Sequence, residues 1–396
     1  MTKSDDKRVP ALRFKGFTDE WEQRKLKNIT KRISRKNLNL DSTLPLTISA
    51  QYGLVDQRKF FDKQIASKKL ENYLLLKNGE FAYNKSYSKD YPFGAIKRLN
   101  NYKLGVLSTL YIAFKPVSIN TDYLEEYFDS TKWYKEIYKR ATEGARNHGL
   151  LNISPQDFFE LNLSIPNNRI EQERISKILK KLSLLITLQQ RKLTELQLLR
   201  TSLNQQLLKD NSSWKSVKLR EILNIRNKQI FPNQQYPLMS FVQKQGVVPK
   251  SQRYNRDFLV KGNKKYKVTE KGDFIYSSNN LETGSIGINK TGNATISPVY
   301  SVFSSKNYKE SLFIGLLSEK KSFIYKMIRF RQGVVYGQWK IPEKDFLNIK
   351  IKIPNYQEQE KIITLFTHID NQFKQENKKL TDLQNFKQFL LQNMFI

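Results

Sequence analysis

From Asn168 to Lys209 the chain runs without proline or glycine, and its apolar residues recur at three- and four-residue steps. That spacing keeps them on one side of a 3.6-residue helix and predicts a single long helix. Ile175, Ile178, Leu182, Leu185, Leu196, Leu199 and Leu203 fall close to a heptad seam, interrupted near Gln189 and Lys192 where such a seam calls for apolar side chains. A near copy starts at Asn355, with Ile362, Leu365, Ile369, Leu380, Leu383 and Leu390 as its apolar side. Both copies open on Asn-x-x-Glu (Asn168 to Glu171, Asn355 to Glu358), which offers an amide oxygen to the first-turn N–H groups and a carboxylate to the positive dipole end. At ~1.5 Å per residue each helix would be a rod of roughly 60 Å, and an apolar stripe of that length must be covered. The obvious cover for one helix is the other.

Ahead of each long helix lies a mixed segment that is also repeated. Trp21 to Leu26 (WEQRKL) returns as Trp214 to Leu219 (WKSVKL), and LKNGEFAYN (76–84) as TEKGDFIYS (269–277). Asn78-Gly79 between apolar runs is a strong hairpin signal, with Lys271-Gly272 its weaker counterpart. STLYIAF (108–114) parallels SPVYSVF (297–303) as a buried β run. Each copy closes on Gly-x3-Ile-x3-Asp-Phe, at Gly149 and at Gly337, followed by Ile-Pro (Ile165-Pro166, Ile353-Pro354). Self-similarity on this scale means duplicated domains rather than a solenoid. The polar tract Lys209 to Ser213 has the composition of a linker. The expected division is an N-terminal segment (1–20), a first mixed domain (21–166), a central helix (167–209), a second mixed domain (210–354) and a second long helix (355–396).

Composition narrows the class. The 396 residues include 69 Lys plus Arg against 37 Asp plus Glu, a formal charge of +32, and no short tail concentrates the excess. A folded, strongly basic surface suits a polyanion, nucleic acid above all. There are no cysteines, so disulfides and thiolate metal sites are excluded. With neither an apolar signal core near the N-terminus nor a run of ~20 apolar residues, a cytoplasmic protein is expected.

Several stretches carry cations, amides and aromatics with no carboxylate between them: 91–121, 144–156, 222–256 and 320–342. Lys and Arg neutralise phosphates, while Asn, Gln, Arg and Ser can pair with base edges in a groove. The candidates for DNA contact are Asn84, Lys85, Ser86, Tyr87, Lys89, Lys97, Arg98, Arg146, Asn147 and His148 in the first copy. In the second they are Ser277, Ser278, Asn279, Asn280, Arg331, Tyr336, Gln338 and Lys340. The bland reading of any one of them is a solvated surface group or a polar hairpin end. The equivalent stretches 144–154 and 331–341 are read as groove-reading loops.

No catalytic or metal constellation emerges. The only histidines are His148 and His368, the latter within the second long helix, and no ligand-spaced cluster of His and carboxylates appears. GSIGINKT (284–291) resembles a phosphate-binding loop, but Asn289 stands where that loop requires glycine. The Asn/Asp-Pro-Pro-aromatic tetrapeptide of base-amino methyltransferases is absent. A reader without chemistry of its own is expected.

These features resemble the specificity subunit of type I restriction-modification systems. The residues that carry the resemblance are the opening Pro10 to Trp21 with Lys25-Leu26, the repeated Trp214 to Leu219, and the two Ile-Pro…Glu-Gln-Glu-x-Ile junctions (Ile165 to Ile175, Ile353 to Ile362). The resemblance spans essentially the whole chain. It implies an α+β protein of two mixed target-recognition domains, separated by two long helices in an antiparallel intramolecular coiled coil with pseudo-twofold repeat. Each domain would read one half of an asymmetric bipartite DNA site, and the helices would set the spacing and dock two modification subunits. It further implies that this chain binds no cofactor. S-adenosylmethionine for adenine N6 methylation of a flipped base, with ATP and magnesium, would come with the two modification and two restriction subunits. The competing readings are a fused methyltransferase or nuclease, and a coiled-coil DNA- or RNA-binding protein outside restriction.

Overall fold

The computed structural model describes the chain apart from residues 1–7, 50–51, 62–68, 87, 89–90, 142–150, 210, 243–244, 250–263, 283 and 335–337. It forms two compact units, residues 1–191 with 377–396 and residues 192–376. The division falls inside the long helices, so each unit holds half of each helix.

The two units repeat one topology. In the first, a four-stranded antiparallel sheet runs in the order Thr30–Arg32, Ile112–Pro116, Phe81–Asn84, Ala95–Arg98. In the second the order is Leu223–Ile225, Ser301–Ser305, Phe274–Tyr276, Ile286–Ile288. The repeated Trp motifs open a strand in each unit: Glu22–Lys25 pairs with Asn162–Ile165, and Lys215–Lys218 with Lys350–Ile353. The partner strand in each case leads directly into a long helix.

The expected hairpins at Asn78-Gly79 and Lys271-Gly272 are corrected. Both are tight turns with glycine at positive φ (85° and 94°), yet the flanking strands belong to different sheets. Leu74–Lys77 pairs with Leu104–Leu107, and Tyr266–Thr269 with Gln229–Ile230 and Ala294–Ile296. A buried carboxylate closes each corner. Glu80 accepts the Lys77 N–H at 2.7 Å and pairs with Arg35, and Asp273 accepts the Glu270 N–H at 2.8 Å and pairs with Arg226. A local turn signal fixes the reversal but not the partner of each strand.

Four aromatic positions recur in the cores. Phe81 stacks on Phe114 at 5.3 Å and Tyr83 on Phe158 at 4.9 Å in the first unit. Their counterparts Phe274, Tyr276, Phe303 and Phe346 form one cluster with centroids 4.7 to 5.7 Å apart. The flat rings fill the space between the sheet and the short helix that precedes the last strand, at Pro155–Phe159 and Glu343–Leu347.

The long helices span Arg169–Leu207 and Tyr356–Asn393. Their Asn starts behave as read: Asn168 Oδ1 accepts the Ile170 N–H and Asn355 Oδ1 the Glu358 N–H, each at 2.9 Å. Inside both junctions a glutamine turns back, Gln172 donating to the Pro166 carbonyl and Gln359 to that of Pro354. In the first unit Ile175, Leu179 and Leu182 share a core with Leu390, Met394 and Phe395. In the second, Leu203 and Leu207 pack on a core containing Ile362 and Phe366. The start of one helix thus lies with the end of the other, and the pairing is antiparallel.

The seam itself keeps an unbroken 4-3 spacing that the sequence reading resolved only in part. It runs Ile175, Leu179, Leu182, Ile186, Gln189, Leu193, Leu196, Arg200, Leu203, Leu207 on one helix. On the other it runs Ile362, Phe366, Ile369, Phe373, Glu376, Leu380, Leu383, Lys387, Leu390, Met394. Leu185, Leu199 and Leu365, expected in the seam, are 51%, 49% and 39% exposed and lie outside it, and Ile178 is half-buried at its edge. They were misplaced because consecutive leucines offer two registers and only the packing partner selects one.

The polar seam positions fasten the helices to the rest of each unit. Arg200 pairs with Glu319 at 2.7 Å and Asp370 at 2.6 Å, and its guanidinium lies over the Phe366 ring. At the matching position of the other helix, Lys387 reaches Asp129 at 3.5 Å and Glu126 at 3.8 Å. Burial opposes ionisation of Asp129, but the ammonium groups of Lys97 and Lys387 hold its carboxyl below the ordinary value. Glu126 is pushed up to about 7 by burial, which Lys387 offsets only in part and the neighbouring Asp129 reinforces.

Leu182→Ala should destabilise the protein by about 2–5 kcal/mol, as for other buried leucines, and Leu199→Ala by less than about 0.5 kcal/mol. Urea unfolding of both variants checks the seam register. Between the ordinary glutamate value of 4.5 and about 7, folded Glu126 retains a proton that the unfolded chain has lost. Stability contributed by this group therefore falls as pH rises through that window and levels off above it. Glu126→Gln should raise stability at pH 8 by up to about 3 kcal/mol and leave it little changed at pH 4.5, read as the shift in urea midpoint at each pH.

Candidate DNA interface

In the second unit the candidates gather around one hairpin. Gln332–Val334 pairs with Gln338–Lys340, with Gly333 opposite Trp339. A short turn, Ser278–Asn280, supports it from the end of the Phe274–Tyr276 strand. Asn279 Oδ1 accepts the Trp339 N–H at 2.6 Å, Ser278 Oγ accepts the Ile341 N–H at 2.9 Å, and the Tyr276 hydroxyl donates to the Ile341 carbonyl at 3.1 Å. Ser277 and Ser278 are buried. Of the groups read as groove candidates, the Asn279 amide and the Ser278 hydroxyl therefore hold the hairpin in place.

Arg331 donates two parallel bonds to Glu282, at 2.7 and 2.8 Å, and that contact holds the Glu282 carboxyl below its ordinary value. The same guanidinium lies 5.6 Å over the Trp339 ring. Trp339 is nonetheless 48% exposed, and Lys340 beside it is exposed. The hairpin presents a flat aromatic surface and an ammonium group on a braced backbone. Such a pair can stack on a base or sugar and neutralise a phosphate. Trp339 was not among the expected residues, although an aromatic beside a lysine in the acid-free stretch 320–342 was signal enough to include it.

The corresponding region of the first unit is described in part. Lys85 is tied at both ends of its residue: its carbonyl accepts the Leu151 N–H at 2.9 Å and its Nζ reaches the Ile153 carbonyl at 3.5 Å. Asn84 Oδ1 accepts the Ser86 N–H at 3.0 Å, and Ser86 is exposed. The strand end 84–86 thus braces the stretch before the last strand, as Ser278 and Asn279 do in the second unit. Lys97 and Arg98 stand apart from this edge. Lys97 pairs with Asp129 at 2.7 Å, and Arg98 with Asp122 and Glu125 at 2.7 and 2.6 Å, bolting the Ala95–Arg98 strand to the Thr121–Asp129 helix. Their charge is neutralised within the unit. Tyr87, Lys89, Arg146, Asn147, His148 and Tyr336 lie outside the described residues, as does the side chain of Gln338.

The loop that resembled a phosphate cradle is a strand followed by an Asx turn. Asn289 is fully buried, its Oδ1 accepting the Thr291 and Gly292 N–H groups and its amide donating to Thr269 and Gly292. Among the described residues, no group of three His, Cys, Asp or Glu is placed to hold a metal ion, and no helix is long and apolar enough to cross a membrane.

Residues 211–385 match the family described as the type I restriction modification DNA specificity domain. The specificity subunit of the type I restriction-modification system from M. genitalium has a similar structure, with a TM-score of 0.61 at 15% identity, covering 98% of this chain and 99% of that one. A chain from work on complex assembly and conformational transition of the type I R-M system gives a TM-score of 0.53 at 13% identity, covering 95% and 97%. Both likenesses are of fold. No curated protein matches this chain in sequence.

Lys340→Ala should weaken DNA binding and lower the slope of log K against log salt by about 0.9, the contribution of one phosphate contact. Trp339→Ala should weaken binding by about 1–3 kcal/mol if its face stacks on a base. Fluorescence anisotropy at several salt concentrations measures both, and an unchanged affinity in each variant would remove the hairpin from the interface.

Proposed function

We propose that this chain is the DNA sequence-specificity subunit of a type I restriction-modification complex. Each unit reads one half of a bipartite, asymmetric DNA site, and the paired helices set the half-site spacing and dock two modification subunits. The observation that carries this reading is one scaffold present twice with different equipment at the same edge. Strand order, corner acid, aromatic positions and junction glutamine recur in both units. The residues at the strand end and its neighbouring stretch do not: Asn84, Lys85 and Ser86 in one, Ser277, Ser278 and Asn279 with the Trp339 hairpin in the other. Two different readers on a common frame suit an asymmetric target, since a symmetric one would need identical readers.

On this reading the chain supplies the address in the cytoplasm, and the chemistry belongs to its partners. S-adenosylmethionine would arrive with the adenine N6-methyltransferase subunits, and ATP and magnesium with two motor-nuclease subunits. Groups such as Lys85, Ser86, Trp339 and Lys340 stand at the reading edges, with Asn279 and Ser278 positioning the second.

Long-read mapping of adenine methylation in cells carrying this gene, with and without its modification subunit, tests the proposal. A gapped asymmetric motif methylated only when both proteins are present is the expected outcome. Methylation by this chain alone would make it an enzyme, and a continuous motif would defeat the two-reader arrangement.

A further inference from the structure

The two reading edges share one exposed feature. In each unit the strand that pairs with Phe81–Asn84 or with Phe274–Tyr276 is entered from a tight turn, Ser108 to Tyr111 and Ser297 to Tyr300. The Tyr111 N–H donates to the Ser108 carbonyl and the Tyr300 N–H to that of Ser297, each at 3.2 Å. Both tyrosines are anchored, Tyr111 on the core around Leu46 and Leu107 and Tyr300 with its ring 5.9 Å from that of Phe241. The third residue of each turn is left outside: Leu110 is 69% exposed and Val299 62%.

Strand register fixes where these tips stand. Ile112 pairs with Tyr83 and Ser301 with Tyr276, so each turn lies at the same end of its sheet as the reading edge, Asn84 to Ser86 or Ser277 to Asn279. A further hairpin reaches that end in both units, because Leu46–Ser49 and Met239–Val242 begin beside parallel bridges to the strands that run into the turns. Its exposed tip residue is Tyr52 in one unit and Gln245 in the other. The neighbours thus differ in kind between the units, and the turn tip stays apolar.

Single exposed apolar residues are ordinary on a protein surface. One that keeps its character at the same anchored turn in both copies, among neighbours that changed, serves a task common to both. An aliphatic tip has no donor, acceptor or charge, so it neither pairs with a base edge nor neutralises a phosphate. Contact with a thymine methyl would tie both halves of an asymmetric site to the same base. Insertion between stacked base pairs needs bulk and apolarity alone. Resting on the reading of each unit as a DNA reader, we propose that Leu110 and Val299 are wedges. Each enters one base step of its own half-site and unstacks it, while the groups around it supply the sequence preference.

The test uses the full-length chain with its modification subunit, without S-adenosylmethionine, bound at saturation to duplexes that carry the mapped motif and 2-aminopurine at successive positions. Fluorescence should rise severalfold at one step in each half-site, away from the methylated adenine. Leu110→Ser should abolish the rise in one half-site and Val299→Ser in the other. Affinity should stay within about tenfold of the unaltered complex, since the unstacking cost disappears with the contact that offsets it. Leu110→Met and Val299→Ile should keep the signal. Binding with no rise at any step, or a rise that survives both serine substitutions, would overturn the wedge and leave the specificity-subunit reading intact. Loss of the modification subunit from the serine variants would make the tips a protein contact and overturn it as well. A complex with no preference for the motif duplex would defeat the underlying reading.

Discussion

Everything in this protein rests on the mutual burial of two helical stripes. Helices of 39 and 38 residues without proline or glycine each present apolar side chains every three and four positions, and water penalises that surface until something covers it. The antiparallel partner does so at Ile175, Leu179 and Leu182 in one unit and at Ile362 and Phe366 in the other. The polar interruptions are as consequential as the leucines. Arg200 and Lys387 occupy matching seam positions, and each finds two carboxylates in its own unit. A cation in a seam is costly unless paired, so these positions favour one register over its neighbours.

The mixed parts divide the labour between a constant frame and variable edges. The frame is the crossed pair of sheets joined at glycine corners, closed by Glu80 or Asp273, and filled by four aromatic rings. The strand ends after Tyr83 and Tyr276 differ between the units, while the aromatic positions of the core recur. The second unit uses its strand end to brace a hairpin from below with Ser278 and Asn279, so that Trp339 and Lys340 are displayed on a backbone held by hydrogen bonds. Pre-organisation of this sort lowers the ordering cost of binding.

The duplication, the two long helices with their Asn caps, the strands that carry the repeated motifs and the basic character were all legible in the chain, since each is a local pattern or a sum over residues. What misled was always a matter of partner. Gly79 and Gly272 announce tight turns correctly, but whether the strands on either side pair with each other depends on which distant strand arrives, here Leu104–Leu107 and Ala294–Ile296. Leu185 and Leu199 satisfy a heptad as well as Ile186 and Arg200 do until the opposing helix chooses.

The same division holds for the reading edges. The excess of cations suits a polyanionic partner, and it is legible in the chain because +32 is a property of composition. Which cations remain available is decided by the fold: Lys97, Arg98 and Arg331 are matched to carboxylates 24 to 49 positions away in the chain, whereas Lys340 is exposed. Sequence records which groups exist and how they repeat. Only the tertiary arrangement determines which of them meet, because a salt bridge, a seam or a braced hairpin is set by distance in space between residues that sequence keeps apart.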